Sequence, residues 1–157
     1  MKLWKKSFQL NEAVERFTTG QDRELDLVLA PYDVYTNLAH CAMLQKQGFL
    51  TKEELQDIRR SLRKILDKIN QGGFVIEEGM EDIHSQIEKE VTQDIADAGK
   101  KIHLARSRND QVLTDLKLYY RDVLKTIGVE VAAIISALLN KSNQHSADIM
   151  PGYTHSQ

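Results

Sequence analysis

A single cysteine and only two prolines in 157 residues rule out two kinds of architecture. One thiol cannot close an intrachain disulfide, and Cys41 lies in an apolar helical pattern, so it reads as a buried thiol rather than a nucleophile. With prolines only at 31 and 151 and eight glycines in all, long segments run free of helix breakers, which is the composition of a helical protein. No stretch approaches the roughly 18 apolar residues that a membrane-spanning helix needs. A formal charge of −2 supplies no basic face for nucleic acid or an anionic membrane. The opening MKLWKKSFQL lacks the apolar core of a secretory signal, so the expected location is the cytoplasm. Also missing are a Gly-rich phosphate loop, a Cys/His ligand set and a Gly-x-Ser-x-Gly elbow. Apolar residues at 41% and charged residues at 28% still suffice for one good core.

The clearest local signal is Thr51-Lys52-Glu53-Glu54, a capping box in which Thr51 holds a free helix N–H and Glu54 reaches back. After it, Leu55, Ile58, Leu62, Ile65, Leu66 and Ile69 fall at spacings of three and four, one buried stripe that Gln71-Gly72-Gly73 ends. Before it, Val34, Leu38, Cys41 and Leu44 or Met43 trace another stripe after Pro31, and Gly48 stands at a C-cap position. These two segments predict an antiparallel helical pair. Residues 74–80 read as loop or brief extended chain. A third helix is expected from Glu81-Asp82, capped by Asp82, with Ile83, Ile87, Val91 and Ile95 inward and closure near Gly99.

A fourth pattern is longer: Leu113, Leu116, Tyr120, Val123, Ile127, Val131, Ile134 and Leu138. Twenty-six helical residues span about 39 Å, more than so small a chain can cover. A truncated bundle or an obligate oligomer is therefore expected. The fold class predicted is all-α. A small N-terminal helical domain occupies 1–103, and the first long helix and following loop of a central bundle occupy 104–157.

Three polar clusters can carry chemistry: Glu81-Asp82-Ile83-His84, Arg106 to Asp110, and Gly152 to Gln157. Each also has a plain reading. Asp82 can be only a cap with His84 on an exposed first turn. Asn109 or Asp110 can cap the long helix while Arg106 and Arg108 stay solvated, and Thr154-His155 can be surface beside a Pro-Gly turn. Taken together, a helix start with free N–H groups, two guanidiniums, and Ser and Asn donors suits a carboxylate with two acceptor oxygens. A histidine adds proton transfer near neutral pH. The residues themselves thus reach a small polycarboxylate ligand, with or without proton transfer.

Arg106-Ser107-Arg108-Asn109-Asp110-Gln111-Val112, with Pro151-Gly152-Tyr153-Thr154-His155-x-Gln157 downstream and Glu81-Asp82-Ile83-His84 upstream, closely resembles the argininosuccinate lyase family of the fumarase/aspartase superfamily. Leu3-Trp4 and Ala30-Pro31-Tyr32-Asp33 extend the resemblance over the whole chain. It implies a homotetramer built on a bundle of long helices, with active sites shared between subunits. It implies cleavage of argininosuccinate to arginine and fumarate, in arginine biosynthesis or the urea cycle, with no metal or organic cofactor. By this resemblance Ser107, Arg108 and Asn109 hold substrate carboxylates, with Thr154 and Gln157 contributing from a neighbouring subunit. His84 is a further binding or supporting residue and His155 the acid/base histidine. The family's catalytic serine sits on a glycine-containing loop beyond residue 157, so this stretch, the N-terminal third or so of such an enzyme, is expected to be inactive alone. Alternatives are a structural protein on the same scaffold, as in the lens delta crystallins, and a helical self-assembly module.

The sequence departs from the family's pattern at four places. Leu3-Trp4 runs into Lys5-Lys6-Ser7-Phe8 in place of Gly-Gly-Arg-Phe. Thr18-Thr19-Gly20 stands where a substrate-binding serine is expected. His103-Leu104-Ala105 replaces His-Thr-Gly, and Ser156 replaces a usual Leu.

Overall fold

The computed structural model describes Phe17, residues 22–77 and residues 79–155. Leu3-Trp4 and the residues after it, Thr18-Thr19-Gly20, Ser156 and Gln157 lie outside the described residues. Every regular element among those described is helical, so the fold is all-α. The elements are α1 (Asp22–Asp26), a 3₁₀ turn (Leu27–Leu29), α2 (Ala30–Lys46), α3 (Lys52–Asn70), α4 (Ile83–Ile95), a 3₁₀ segment (Ala96–His103) and α5 (Arg108–Gln144). None is long and apolar enough to cross a membrane.

Local chemistry sets most boundaries. Thr51 accepts from the Glu54 N–H while Glu54 accepts from the Thr51 N–H, the reciprocal box expected for α3. Gly48 and Gly72 follow α2 and α3 at φ of 81° and 71°, left-handed values that glycine adopts without a Cβ penalty. Asp82 caps α4 by accepting from the Ser85 N–H at 2.7 Å, and Asp26 accepts from the Ile83 N–H at 3.3 Å. Only five residues join α2 to α3, and the two helices pack against each other.

The core gathers Val34, Cys41 and Leu44 from α2, Leu55, Ile58, Leu62 and Ile65 from α3, and Ile83, Ile87 and Val91 from α4. Leu50, Phe74 and Ile102 close it. Each fully buried aliphatic side chain contributes about 1.5–3 kcal/mol. Of the two candidates near the end of α2, Leu44 is buried and Met43 exposed. Burial pushes the Cys41 thiol up to about 11, which keeps it protonated and unreactive, as expected of a core cysteine.

Three sequence expectations need correction. The third helix closes at Ile95 rather than near Gly99, because Ala96 turns left-handed at φ 53° and the chain tightens into a 3₁₀ segment. The long helix starts at Arg108 and runs 37 residues, beyond the range of its apolar pattern. Its cap is neither Asn109 nor Asp110 but Ser107, whose Oγ accepts from the Asn109 N–H while Asp110 accepts from the Ser107 N–H.

Two compact units are distinguished, one ending at Tyr119 and the other beginning at Tyr120. The second holds the remainder of α5, a turn at residues 145–147 and an irregular segment to His155. Every described side chain from Leu124 onward is exposed, including Ile127, Val131, Ile134 and Leu138 of the apolar pattern.

The 3₁₀ segment is fastened to α4 through Gly99. A Cβ there would stand 2.6 Å from Thr92 Cα and 2.8 Å from Thr92 N, both backbone atoms that cannot swing aside. Gly99→Ala is therefore expected to lower stability by about 1–3 kcal/mol, the usual cost of forced overpacking. Urea unfolding measures it, and an unchanged midpoint would refute this close approach.

Candidate active site

The first turns of α5 do not bury the apolar stripe that the sequence suggests. Leu113 is 58% exposed, while Gln111 and Asp115, one turn apart, are buried. The surface they meet is polar. Asp33 and Asn37 of α2, also four residues apart, and His84 of α4 are all buried as well. His84, one of whose readings placed it on an exposed turn, is 3% exposed.

The contacts form one network. His84 Nδ1 lies 2.9 Å from Asp33 Oδ1 and 3.6 Å from Asp115 Oδ2. Gln111 Nε2 donates to Asp33 Oδ1 at 2.5 Å, and Asn37 Nδ2 donates to Asp33 Oδ2 at 2.9 Å. The Thr36 hydroxyl donates to Asp115 Oδ1. Arg106 Nη2 donates to Asn37 Oδ1 at 2.5 Å. Arg108 leans on the edge of this group: Nη1 donates to Gln111 Oε1 at 2.8 Å, Nη2 to Ser85 Oγ at 3.2 Å, and Nε stands 3.4 Å from Asp82 Oδ2.

Burial and charge sort the protons. Burial opposes ionisation of Asp33, yet the hydrogen bond and charge of His84, with Gln111, outweigh it and hold the carboxyl below its ordinary value. Burial likewise disfavours a charged His84, but the hydrogen bond and charge of Asp33 raise its pKa above the usual value. Asp115 is the loser: burial, then the nearby charge of Asp33, push it up to about 7. Ligand atoms of Asp33, His84 and Asp115 lie within 4.8 Å of one another, a donor set that could hold a metal ion. Positive charge already stands at these carboxyls, from the nearby Arg106 and from His84 when it is protonated. A divalent ion would have to displace the proton on His84 and then stand in the field of Arg106.

Of the residues singled out in the sequence, the first unit brings His84 and Arg108 into this network, with Ser107 and Asn109 exposed at the adjoining cap. Thr154 and His155 belong to the second unit and are exposed there, His155 in the left-handed region at φ 51°. Asn37 and Asp115 were not singled out, and Asp33 and Gln111 entered only within the motifs that carry the resemblance, with no role of their own. Their signal is a pair of polar residues four apart on a face that must be buried for the neighbouring stripe to be buried.

Ala105 also has a left-handed backbone, at φ 57°. It occupies the position where the family pattern has glycine, and the conformation explains why glycine suits that position.

The raised pKa of Asp115 gives a signed prediction. An acid whose folded pKa lies above its unfolded value costs stability progressively as pH rises between the two, here from about 4 to about 7. Asp115→Asn keeps an acceptor for Thr36 but removes that titration. The variant should match the parent at pH 4 and become more stable toward pH 8, with the gain levelling above pH 7. Urea midpoints across this range test it, and a gain that does not grow with pH would contradict the assignment.

Comparison with known proteins agrees with this layout. The family model described as lyase matches residues 6–157. The argininosuccinate lyase of Bacteroides thetaiotaomicron is 49% identical over 156 residues, covering 99% of this chain and 35% of the relative. That of Nitrosospira multiformis is 43% identical over 148 residues, covering 94% of this chain and 31% of the relative. The Thermotoga neapolitana enzyme is 39% identical over 156 residues, covering 99% and 39%. The chain thus spans about a third of the length of these curated relatives. Matched along almost its entire length and helical throughout its described elements, the chain belongs to the lyase family.

Proposed function

We propose that the protein containing this chain is an argininosuccinate lyase, releasing fumarate and arginine from argininosuccinate. The observation that carries the reading is 49% identity, over 99% of the chain, with relatives bearing that name. The head of α5 supports it, because the half-buried guanidinium of Arg108 stands beside a capped helix start, a combination suited to carboxylates.

The chemistry is a β-elimination. A base removes a proton from the carbon next to a carboxylate, and the electron pair spreads into that carboxylate to give a dianion. The pair then returns to form the carbon–carbon double bond of fumarate as the carbon–nitrogen bond breaks. The departing guanidinium nitrogen gains a proton and leaves as arginine. The first proton is weakly acidic, so donors already aimed at the developing charge set the rate. In this reading Ser107, Arg108 and Asn109 hold carboxylates, Thr154 and Gln157 add contacts from another subunit, and His155 moves a proton. His84 supports the site from behind, through Asp33. The protein acts in the cytoplasm, needs no metal or organic cofactor for these steps, and binds neither nucleic acid nor membrane.

The assembly proposed is a homotetramer. Its support is the exposed apolar series Leu124, Ile127, Val131, Ile134 and Leu138 in the second unit, a larger apolar surface than a monomer ordinarily leaves in water.

Purified protein incubated with argininosuccinate should release fumarate, followed by its ultraviolet absorbance. His155→Asn should lower kcat by about 100-fold or more, the usual contribution of a positioned acid or base. A parent protein that releases no fumarate would reject the activity. Sedimentation should give a tetramer, and a folded monomer would reject the assembly.

A further inference from the structure

We propose that Gln111 is a positioning residue for this reaction, transmitting the fixed orientation of the buried Asp33 carboxylate to the anion-holding guanidinium of Arg108. The inference rests on the activity proposed above.

Gln111 lies one turn behind Arg108 on α5 and is 2% exposed. Its amide stands between opposite charges, with Nε2 donating to Asp33 Oδ1 at 2.5 Å and Oε1 accepting from Arg108 Nη1 at 2.8 Å. An amide donates at one end and accepts at the other, which this position requires. A glutamate could accept from Arg108, but its second oxygen would press against Asp33. A methionine could fill the space with neither bond.

Asp33 is itself immobilised. His84 Nδ1 at 2.9 Å and Asn37 Nδ2 at 2.9 Å hold it from other directions, and it is fully buried. An ionised carboxylate accepts only, so it fixes which end of the Gln111 amide faces it. The oxygen must then face Arg108. Arg108, which can only donate, asks for the same orientation from its side, so both neighbours lock the amide one way round.

Arg108 is thereby held at three points, Gln111, Ser85 and Asp82. A guanidinium has five N–H groups, so donors on its terminal nitrogens remain for a ligand. The side chain is 27% exposed, open enough to receive one. An unrestrained arginine loses rotamer freedom when it grips a ligand, and a clamp held in advance avoids that cost on binding. Because a carboxylate is gripped before and during reaction, losing the restraint should weaken binding more than it slows chemistry.

The test uses the whole protein. Gln111→Met should raise KM for argininosuccinate about 10-fold while kcat changes less than about threefold. The Kd for succinate, a non-reacting dicarboxylate measured by calorimetry, should rise in parallel. In an Arg108→Lys background the same change should add less than about twofold, because residues acting as one unit are not additive. A merely structural role predicts equal losses in both backgrounds and would overturn the proposal. If Gln111→Met does not fold, Gln111→Asn keeps the amide but cannot span both partners and should shift KM the same way. Unchanged KM and succinate Kd in a folded variant would refute the inference. A parent protein that binds succinate without turning over argininosuccinate would refute the activity instead, leaving the succinate comparison to judge Gln111.

Discussion

His84 and Asp33 meet 2.9 Å apart in a place that water scarcely reaches, and the arrangement of three helices follows from keeping them together. Burying either charge alone costs several kcal/mol, and removing one partner of a buried pair typically costs about 3–5 kcal/mol. The pair is tolerable only with its remaining lone pairs occupied. Asn37 and Gln111 do this for Asp33. Thus α2, α4 and α5 can approach only in the relation that delivers those side chains. The gain is in specificity of arrangement more than in net stability, since an apolar core of similar volume would hold at least as well.

That constraint sets the rotational phase of the long helix. A slip of one residue turns a helix by about 100° and would replace Gln111 and Asp115 with Val112 and Leu116. Asp33 and His84 would then face aliphatic carbon with unfilled hydrogen-bonding positions. The start of α5 is fixed by charge, which is why Leu113 is exposed although it opens an otherwise regular apolar series. The series beyond it is free to serve an interface, because the core does not consume it.

Elements governed by local chemistry were legible in the sequence. The Thr51–Glu54 box, the Asp82 cap, Gly48, Gly72 and the stripes of α2 and α3 each depend on neighbours within a turn or two. The 3₁₀ segment was not legible, because it rests on the contact of Gly99 with Thr92 and on the left-handed Ala96, both settled by packing. The site was half legible. The Arg106–Asp110 run stands out by its density of polar groups, and His84 by its place in a polar cluster. Asp33 lies dozens of residues from both, Asp115 is embedded in the apolar series of α5, and no periodicity rule asks for a carboxylate at either place. The depth of His84 was likewise hidden, since an imidazole after a cap looks the same whether its face meets water or Asp33.

Protonation of Asp115 bears on the proposed chemistry. Around the head of α5 stand Arg106, Arg108 and His84, opposed by Asp33, Asp82 and Asp110. With Asp115 neutral and His84 protonated, these charges balance ahead of an approaching dicarboxylate. Were Asp115 ionised as well, one negative charge would be in excess, and the developing dianion of the elimination would form against it. Donors set in advance help only if the field behind them has the right sign. Burial and the neighbouring Asp33, which favour a proton on Asp115, therefore keep the field behind Arg108 from turning negative.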